Sequence, residues 1–226
     1  DKKVIGIIKH TGEFYPTNCV VISHPAYLAI NQFFDDDVFD KKFKEKVNRL
    51  NKTTSVIEVH FCLSKQLDKR QVVFPVGDYT AKGIFFISNI APSVSPHGEH
   101  LIMTGTPVPS DYTENPSKIQ EIVDKMKIDV AKIYPDFEKS LLWERPMAWK
   151  LEAVVKEPDL VWKNKMPHES EIKGLFFVGD STISYGIGTD SAAHSSILCH
   201  PKIINFLKNS DGQLTLEKNL INEAIR

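Results

Sequence analysis

The segment GLFFVGDSTISYGIGTDSAAHSS, residues 174–196, decides the fold of the surrounding chain. Its apolar run LFFV is typical of a strand that is buried on both faces of a parallel sheet. Gly179 and Asp180 follow this strand at its carboxyl end, where open α/β sheets bind ligands. Gly186 and Gly188 then precede a run of small residues with helical character. The segment therefore predicts a strand-to-helix crossover that lets a ligand approach the backbone closely.

Two interpretations of this crossover follow from the residues themselves. In the first, Asp180 accepts hydrogen bonds from a hydroxylated ligand. Thr189 or Asp190 then caps a helix whose free amides and dipole favour an electron-rich group. In the second, the glycines only permit a tight loop and Asp180 caps it. The residue types alone leave both interpretations open.

The composition is that of a soluble globular protein and excludes several classes. The 28 basic and 29 acidic residues are interspersed and give a net charge of -1, which argues against a nucleic-acid partner. No apolar run reaches the roughly 18 to 20 residues that span a bilayer. Cys19, Cys62 and Cys199 are isolated, so we expect no disulfide framework and a cytoplasmic location.

The order of elements predicts an antiparallel sheet in the middle of the chain. Strand patterns fall at residues 4–23, 53–63, 72–76, 83–90, 100–106 and 141–155. Helical patterns fall at residues 26–50, 115–133, 189–208 and 214–226. Successive strands without intervening helices favour antiparallel pairing over repeated βαβ units.

Other candidate sites are weaker. The three aspartates at 35–37 are typical of a solvated turn, and His97 and His100 lack further ligands, so we predict no metal site. The helix at 26–50 is amphipathic, but its polar face carries both charges. Docking on the fold is therefore favoured, and a peripheral membrane contact is the alternative.

Residues 174–196 closely resemble the C-terminal flavin-binding motif of phytoene desaturases and related FAD-dependent, amine-oxidase-like oxidoreductases. Other segments resemble the same family in matching order: GIIKHTGEFYPTNCVVISHPA (6–26), FFISNIAPSVSPHGEHLIM (85–103) and IYPDFEKSLLWERP (133–146). The second contains the spacing N-x-x-P-x-x-x-P-x-G-x-H. The resemblance spans most of the chain, and its last motif is the most specific.

The resemblance implies a flavin cofactor, FAD, and a set of residues that bind it. These residues are Gly179, Asp180, Gly186, Ile187, Gly188, Thr189, Asp190 and Ala192. It implies that Asp180 hydrogen-bonds the ribityl or pyrophosphate region and that residues 186–189 pass along the flavin. Amides from Thr189 to Ala192 would face the pyrimidine edge and stabilise negative charge on the reduced flavin. The motif requires no catalytic acid or base, and we name none.

The sequence departs from this family in one respect. The G-x-G-x-x-G loop that holds the ADP half of FAD is absent, and the other glycines are too scattered to replace it. The chain also enters a strand almost at once, so we expect a fragment whose partner is a missing N-terminal FAD-binding segment. Alone, it is expected to be inactive and to bind FAD weakly or not at all.

These observations combine into one fold class and two functional hypotheses. We expect an α+β fold with a mainly antiparallel substrate-domain sheet, plus the strand-helix portion of an FAD-binding α/β domain. Residues 1–24 would return to the FAD domain, 25–155 would bind substrate, and 156–226 would connect to and complete the FAD-binding portion. The first hypothesis is desaturation or isomerisation of a hydrophobic, isoprenoid-type small molecule. The alternative is a non-catalytic scaffold, like the Rab GDP-dissociation inhibitors, that binds prenylated or lipophilic partners.

Overall fold

The computed structural model describes residues 2–155 and 157–210 of the chain. In chain order the strands are β1 (Gly6–Ile8), β2 (Phe14–Pro16), β3 (Val20–Ile22), β4 (Thr53–Leu63), β5 (Val72–Val73), β6 (Ile84–Phe85), β7 (His100–Val108), β8 (Leu141–Val154) and β9 (Leu175–Phe177). The α-helices are α1 (Ala26–Phe33), α2 (Lys41–Asn48), α3 (Ile87–Ile90), α4 (Pro116–Ile133), α5 (Phe137–Ser140) and α6 (Gly188–Ser210). The short helix expected at 214–226 lies outside the described residues.

The chain forms two compact units. The central unit is Thr53–Ala153, and the terminal unit takes in the residues up to Lys52 and those from Val154 onward. The predicted division at 155/156 lies close to the observed bound between Ala153 and Val154. The predicted division at 24/25 lies before the bound between Lys52 and Thr53, because α1 and α2 pack with the terminal segments. The functional assignments of those segments remain predictions.

The terminal unit contains two small sheets. β1 and β2 form an antiparallel hairpin in which Gly6 lies opposite Pro16. β3 and β9 pair in parallel, with Val20 opposite Leu175 and Ile22 opposite Phe177. A parallel pair that leads into a helix is the α/β arrangement expected from the sequence.

Helices α1 and α2 provide much of the core of the terminal unit. The acidic residues 35–37 are exposed and separate the two helices, as expected of a solvated turn. Asp40 caps α2, since its Oδ1 accepts a hydrogen bond from the Phe43 amide at 2.7 Å. The shared core consists of Ala26, Ala29, Ile30, Phe39, Val47, Leu50, Val154, Leu160, Met166, Ile172, Leu175 and Phe177. This burial explains why residues 26–52 belong to the terminal unit.

The central unit is a five-stranded sheet with helix α4. The strand order is β5-β6-β7-β4-β8, and β4 and β7 pair antiparallel from Ser55 opposite Val108 to Leu63 opposite His100. Ile57, Val59 and Phe61 alternate along β4 and are buried in one cluster with residues of α4. The intervening residues are mostly half-buried, so β4 shows the period of two of a strand with two different faces. The α+β fold class is confirmed.

Helix α4 begins and ends where its sequence signals predict. The Asn115 side chain accepts hydrogen bonds from the amides of Ser117 and Lys118, at 3.1 and 3.2 Å. Pro116 occupies the first turn, where its missing N–H costs nothing. The helix ends at Ile133, just before the Tyr134-Pro135 pair.

One predicted strand is wrong over most of its length. The apolar run at 83–90 is a strand only at Ile84–Phe85, and residues 87–90 form the short helix α3. The Asn89 side-chain amide donates hydrogen bonds to the carbonyls of Asp68 and Arg70, at 2.9 and 2.7 Å. These contacts hold the run in a helical turn, away from the sheet ladder. A propensity for strand is overridden here by side-chain hydrogen bonding.

Candidate functional site

The two parallel strands of the terminal unit end side by side. The Val178 amide donates to the Ile22 carbonyl at 2.9 Å, and the chain then enters Gly179 with φ at +123°. A Cβ at Gly179 would lie 3.7 Å from the Ser23 carbonyl oxygen, directly after β3. The carboxyl edge of a parallel strand pair is therefore formed where the sequence predicts it, and ligand binding at this edge stays a prediction.

A buried serine of α6 ties this strand end to the following helix. The Gly179 amide donates to Ser195 Oγ at 3.0 Å. The Gly179 carbonyl accepts from the amide and the hydroxyl of Thr182, at 3.2 and 2.8 Å. Thr182 and Ser195 are both fully buried and hydrogen-bond each other. The turn after β9 is thus fixed against the second turn of α6.

Gly186 and Gly188 differ in how much space surrounds them. Gly186 has φ at +82°, and a Cβ there would approach Asp190 Cβ to 3.2 Å. Gly188 has φ at +52°, but a Cβ there would meet nothing within 4 Å. Both backbones are in the left-handed region that favours glycine, but a side chain at 186 would also be crowded by Asp190, whereas the space in front of the backbone at 188 is open. Such an open cradle fits a cofactor that lies along the loop.

The first turn of α6 is open to solvent. The helix begins at Gly188, so Thr189 and Asp190 lie inside the first turn, and the prediction that one of them is the cap is wrong. Both are exposed, Ala192 is half-buried, and Ile187 is 71% exposed. The first amides of a helix have no intrahelical partner and favour an electron-rich group. The predicted residues 186–190 and 192 are thus exposed or half-buried, whereas Ser191 between them is buried.

Asp180 has a structural role that the sequence left open. Its Oδ2 accepts a hydrogen bond from the Val154 amide at 2.9 Å, so one carboxylate oxygen binds another residue of the terminal unit. The residue is half-buried. Contact between Asp180 and a cofactor stays a prediction.

A polar cluster that the sequence analysis missed lies beneath the loop. Lys165 is 1% exposed, and its Nζ donates to the Asp180 carbonyl and to the hydroxyls of Ser184 and Ser191. The burial of one helical face could be predicted from the sequence, because Ser191, Ser195 and Cys199 are spaced by four. All three are fully buried. Lys165 had no such signal, since nothing near it in sequence marks it as buried.

A stack of aromatic rings flanks the same loop. Trp162 and Tyr185 are nearly parallel, with ring centroids 3.6 Å apart, and His194 stacks alongside Tyr185 at 5.5 Å. The Tyr185 amide donates to His194 Nδ1 at 2.9 Å. Trp162 has φ at +50°, which is a strained value for a residue with a side chain. His194 therefore packs against the loop.

Two buried titratable groups lie near β9. The His168 carbonyl accepts from the Phe177 amide at 2.7 Å, and burial, helped by the charge of Lys202, lowers the pKa of its imidazole. Burial raises the pKa of the Cys199 thiol to about 11. Both groups are thus held neutral near pH 7, which argues against the thiol as a nucleophile.

The described residues contain neither a candidate metal site nor a candidate membrane-spanning helix. Within 2–155 and 157–210, no three His, Cys, Asp or Glu side chains are grouped so that they could hold a metal ion. In the same part of the chain, no helix is both long and apolar enough to cross a membrane.

Solved structures share the fold of this chain at low sequence identity. An oxidoreductase from Methanosarcina mazei is 16% identical with a TM-score of 0.67, over 88% of this chain and 48% of that one. A protein from Pyrococcus furiosus is 15% identical with a TM-score of 0.59, over 88% and 44%. A candidate protoporphyrinogen oxidase from an Exiguobacterium species is 10% identical with a TM-score of 0.54, over 87% and 43%. The chain thus spans about half the length of the first two structures.

The family of this chain is identified by a family model, which these low pairwise identities cannot do. No curated protein sequence matches the chain. The family model described as flavin containing amine oxidoreductase matches residues 5–199. This match includes the β3–β9 pair, the glycine loop and the first half of α6. The chain therefore belongs to the flavin containing amine oxidoreductase family.

Proposed function

We propose that this chain supplies the flavin-facing loop and the substrate domain of an FAD-dependent oxidoreductase. The observation that carries the proposal is the open backbone at Gly188, where the glycine loop meets the exposed first turn of α6. Family membership supports a flavin, and the exposed loop has the shape and the donors to receive one. When bound, FAD would supply the hydride acceptor of the reaction.

Different residues of the loop would contact different parts of the cofactor. Gly186, Ile187 and Gly188 would lie along the flavin, with Gly188 allowing the closest approach of the backbone. The amides from Thr189 to Ala192 would face the pyrimidine edge, because the N-terminal end of a helix favours negative charge. Of these amides, that of Ser191 also donates to the Ile187 carbonyl at 3.4 Å. Asp180 would accept hydrogen bonds from cofactor hydroxyls. This last role follows from the family resemblance.

The helix terminus also favours one redox state of the cofactor. A helix N-terminus carries about half a positive charge, which stabilises nearby negative charge. Reduced flavin gains negative charge at its pyrimidine edge. The amides of α6 would therefore stabilise the reduced form more than the oxidised form and would raise the tendency of the cofactor to accept electrons.

We further propose a hydrophobic, isoprenoid-type substrate and a desaturation or isomerisation, as in phytoene desaturases. The family resemblance supports this proposal, together with the apolar surface of the central unit. Strand β8 exposes four large apolar side chains: Leu142, Trp143, Trp149 and Leu151. Trp143, Trp149 and Leu151 are an even number of residues apart and therefore share one face of β8. An exposed apolar face can receive an apolar ligand or a protein partner.

The experiment uses the full-length protein that contains this chain. We expect it to purify with bound FAD, released on denaturation. If the reaction is a desaturation, anaerobic mixing with a polyene hydrocarbon should abolish the visible flavin absorbance, because the substrate's electrons pass to FAD. If it is an isomerisation, which is redox-neutral, the isomerised polyene should form with no net reduction of the flavin. A full-length protein that carries no flavin and instead binds a prenylated protein would overturn the proposal and favour the GDP-dissociation-inhibitor-like alternative. The isolated 226-residue chain is expected to bind FAD weakly or not at all.

A further inference from the structure

Lys165 is a buried cation at the base of the glycine loop. It follows the short 3-10 helix Trp162–Asn164, and its side chain is 1% exposed. Its Nζ lies 2.9 Å from the Asp180 carbonyl oxygen, 2.6 Å from Ser184 Oγ and 2.8 Å from Ser191 Oγ. A lysine almost never occupies such a position unless it is paired.

The geometry matches a protonated amine. An ammonium group has three N–H donors and no acceptor, and the three oxygens named above lie within hydrogen-bond distance. Hydrogen bonds that involve an ionised group are about twice as strong as neutral ones. The environment of Lys165 is therefore built to hold a positive charge away from water.

The three acceptors belong to three successive parts of the candidate site. Asp180 begins the loop, Ser184 lies in its middle, and Ser191 lies in the first turn of α6. Ser184 and Ser191 also hydrogen-bond each other at 2.7 Å. Both ends of the exposed segment 185–190 are thus pinned to one ammonium group. The segment is therefore held at both ends, although most of its own residues are exposed.

We propose that Lys165 is a positioning residue of the flavin site, and this inference rests on the proposed function. It holds the loop 180–191 in the conformation that receives the cofactor. Its buried positive charge also adds to that of the α6 N-terminus and favours the negatively charged, reduced flavin. Charges act over longer distances in a buried site than in water, so direct contact is not required.

The test compares three variants of the full-length protein. K165M keeps a long unbranched side chain, one heavy atom shorter than lysine, and removes the charge and the three donors. S191A removes one acceptor and leaves the charge. K163M removes an exposed lysine two positions away and serves as the matched control. Three quantities are measured: amide exchange of residues 180–191 without FAD, the Kd for FAD, and the reduction potential of the bound flavin.

We expect K165M to change all three quantities. Exchange should accelerate, and FAD should bind about tenfold more weakly, as expected for loss of a charge-assisted hydrogen bond. The preference for reduced over oxidised flavin should fall about tenfold, which is about 30 mV for a two-electron couple. S191A should speed exchange and weaken FAD binding but leave the potential unchanged. K163M should change none of them.

The outcomes separate this inference from the proposed function. If wild-type protein binds FAD and K165M retains its exchange, affinity and potential, Lys165 has no positioning role and the proposed function stands. If wild-type protein binds no FAD, the proposed function fails, and the role of Lys165 toward a flavin fails with it. If K165M does not fold, weaker FAD binding by S191A supports the inference, and unchanged binding overturns it.

Discussion

Replacing Gly188 with alanine separates the requirements of the fold from those of the cofactor. Gly188 has φ at +52°, and an added Cβ meets nothing within 4 Å. The left-handed conformation costs an L-residue about 1–2 kcal/mol. Alanine also restricts the unfolded chain more than glycine does, which restores about 0.4–1 kcal/mol of the free energy of unfolding. We therefore expect G188A to lower the free energy of unfolding by only about 1 kcal/mol.

The same methyl group would occupy the space proposed for the flavin. We expect the Kd for FAD to rise at least tenfold, which corresponds to about 1.4 kcal/mol. Urea denaturation of the FAD-free protein measures the stability change, and titration of flavin absorbance measures the affinity. The prediction is thus a large loss of binding with a small loss of stability.

Two further glycines provide controls. Gly12 lies in the turn between β1 and β2, has φ at +85°, and also has nothing within 4 Å of an added Cβ. G12A should lose similar stability and keep its affinity for FAD. G186A should lose more stability than G188A, because its Cβ would approach Asp190 Cβ to 3.2 Å. If G188A binds FAD as tightly as G12A does, the open space at Gly188 is not the cofactor position.

Three other expected outcomes concern stability. S195A should lower the free energy of unfolding by about 1–3 kcal/mol in urea, because it removes the acceptor for a backbone amide at the end of β9. Exposed S196A should change it by less than about 0.5 kcal/mol. D129A should cost roughly 3 kcal/mol, since this buried carboxylate accepts from two backbone amides, whereas exposed D124A should be nearly neutral. Burial lowers the pKa of His168, so the unfolded chain binds the proton more readily. Thermal stability should therefore fall below about pH 6.5, and less so in H168N.

Features that depend on neighbouring residues could be predicted from the sequence. The bounds of α4 follow from Asn115-Pro116 at one end and Tyr134-Pro135 at the other, because capping and proline act locally. The two faces of β4 follow from its alternation. The crossover at the glycine loop likewise follows from its apolar run, its glycines and the small residues after them.

Features that depend on distant contacts could not be predicted in this way. Residues 87–90 form a helix because Asn89 bonds carbonyls that lie 19 and 21 residues earlier. Helices α1 and α2 belong to the terminal unit because they share a core with β9, which is more than a hundred residues away in the chain. Neither contact leaves a pattern in the local sequence.

The candidate site combines both kinds of information. The sequence by itself determined the apolar strand, the glycines and the helix that follows, because each reflects a local backbone preference. Only the tertiary structure showed that Gly188 faces open space while Gly186 is required by its neighbours. Only the tertiary structure placed Lys165 beneath the loop, 26 residues before Ser191 in the chain. Burial and long-range hydrogen bonds arise when distant segments meet, so the packed fold alone decides them.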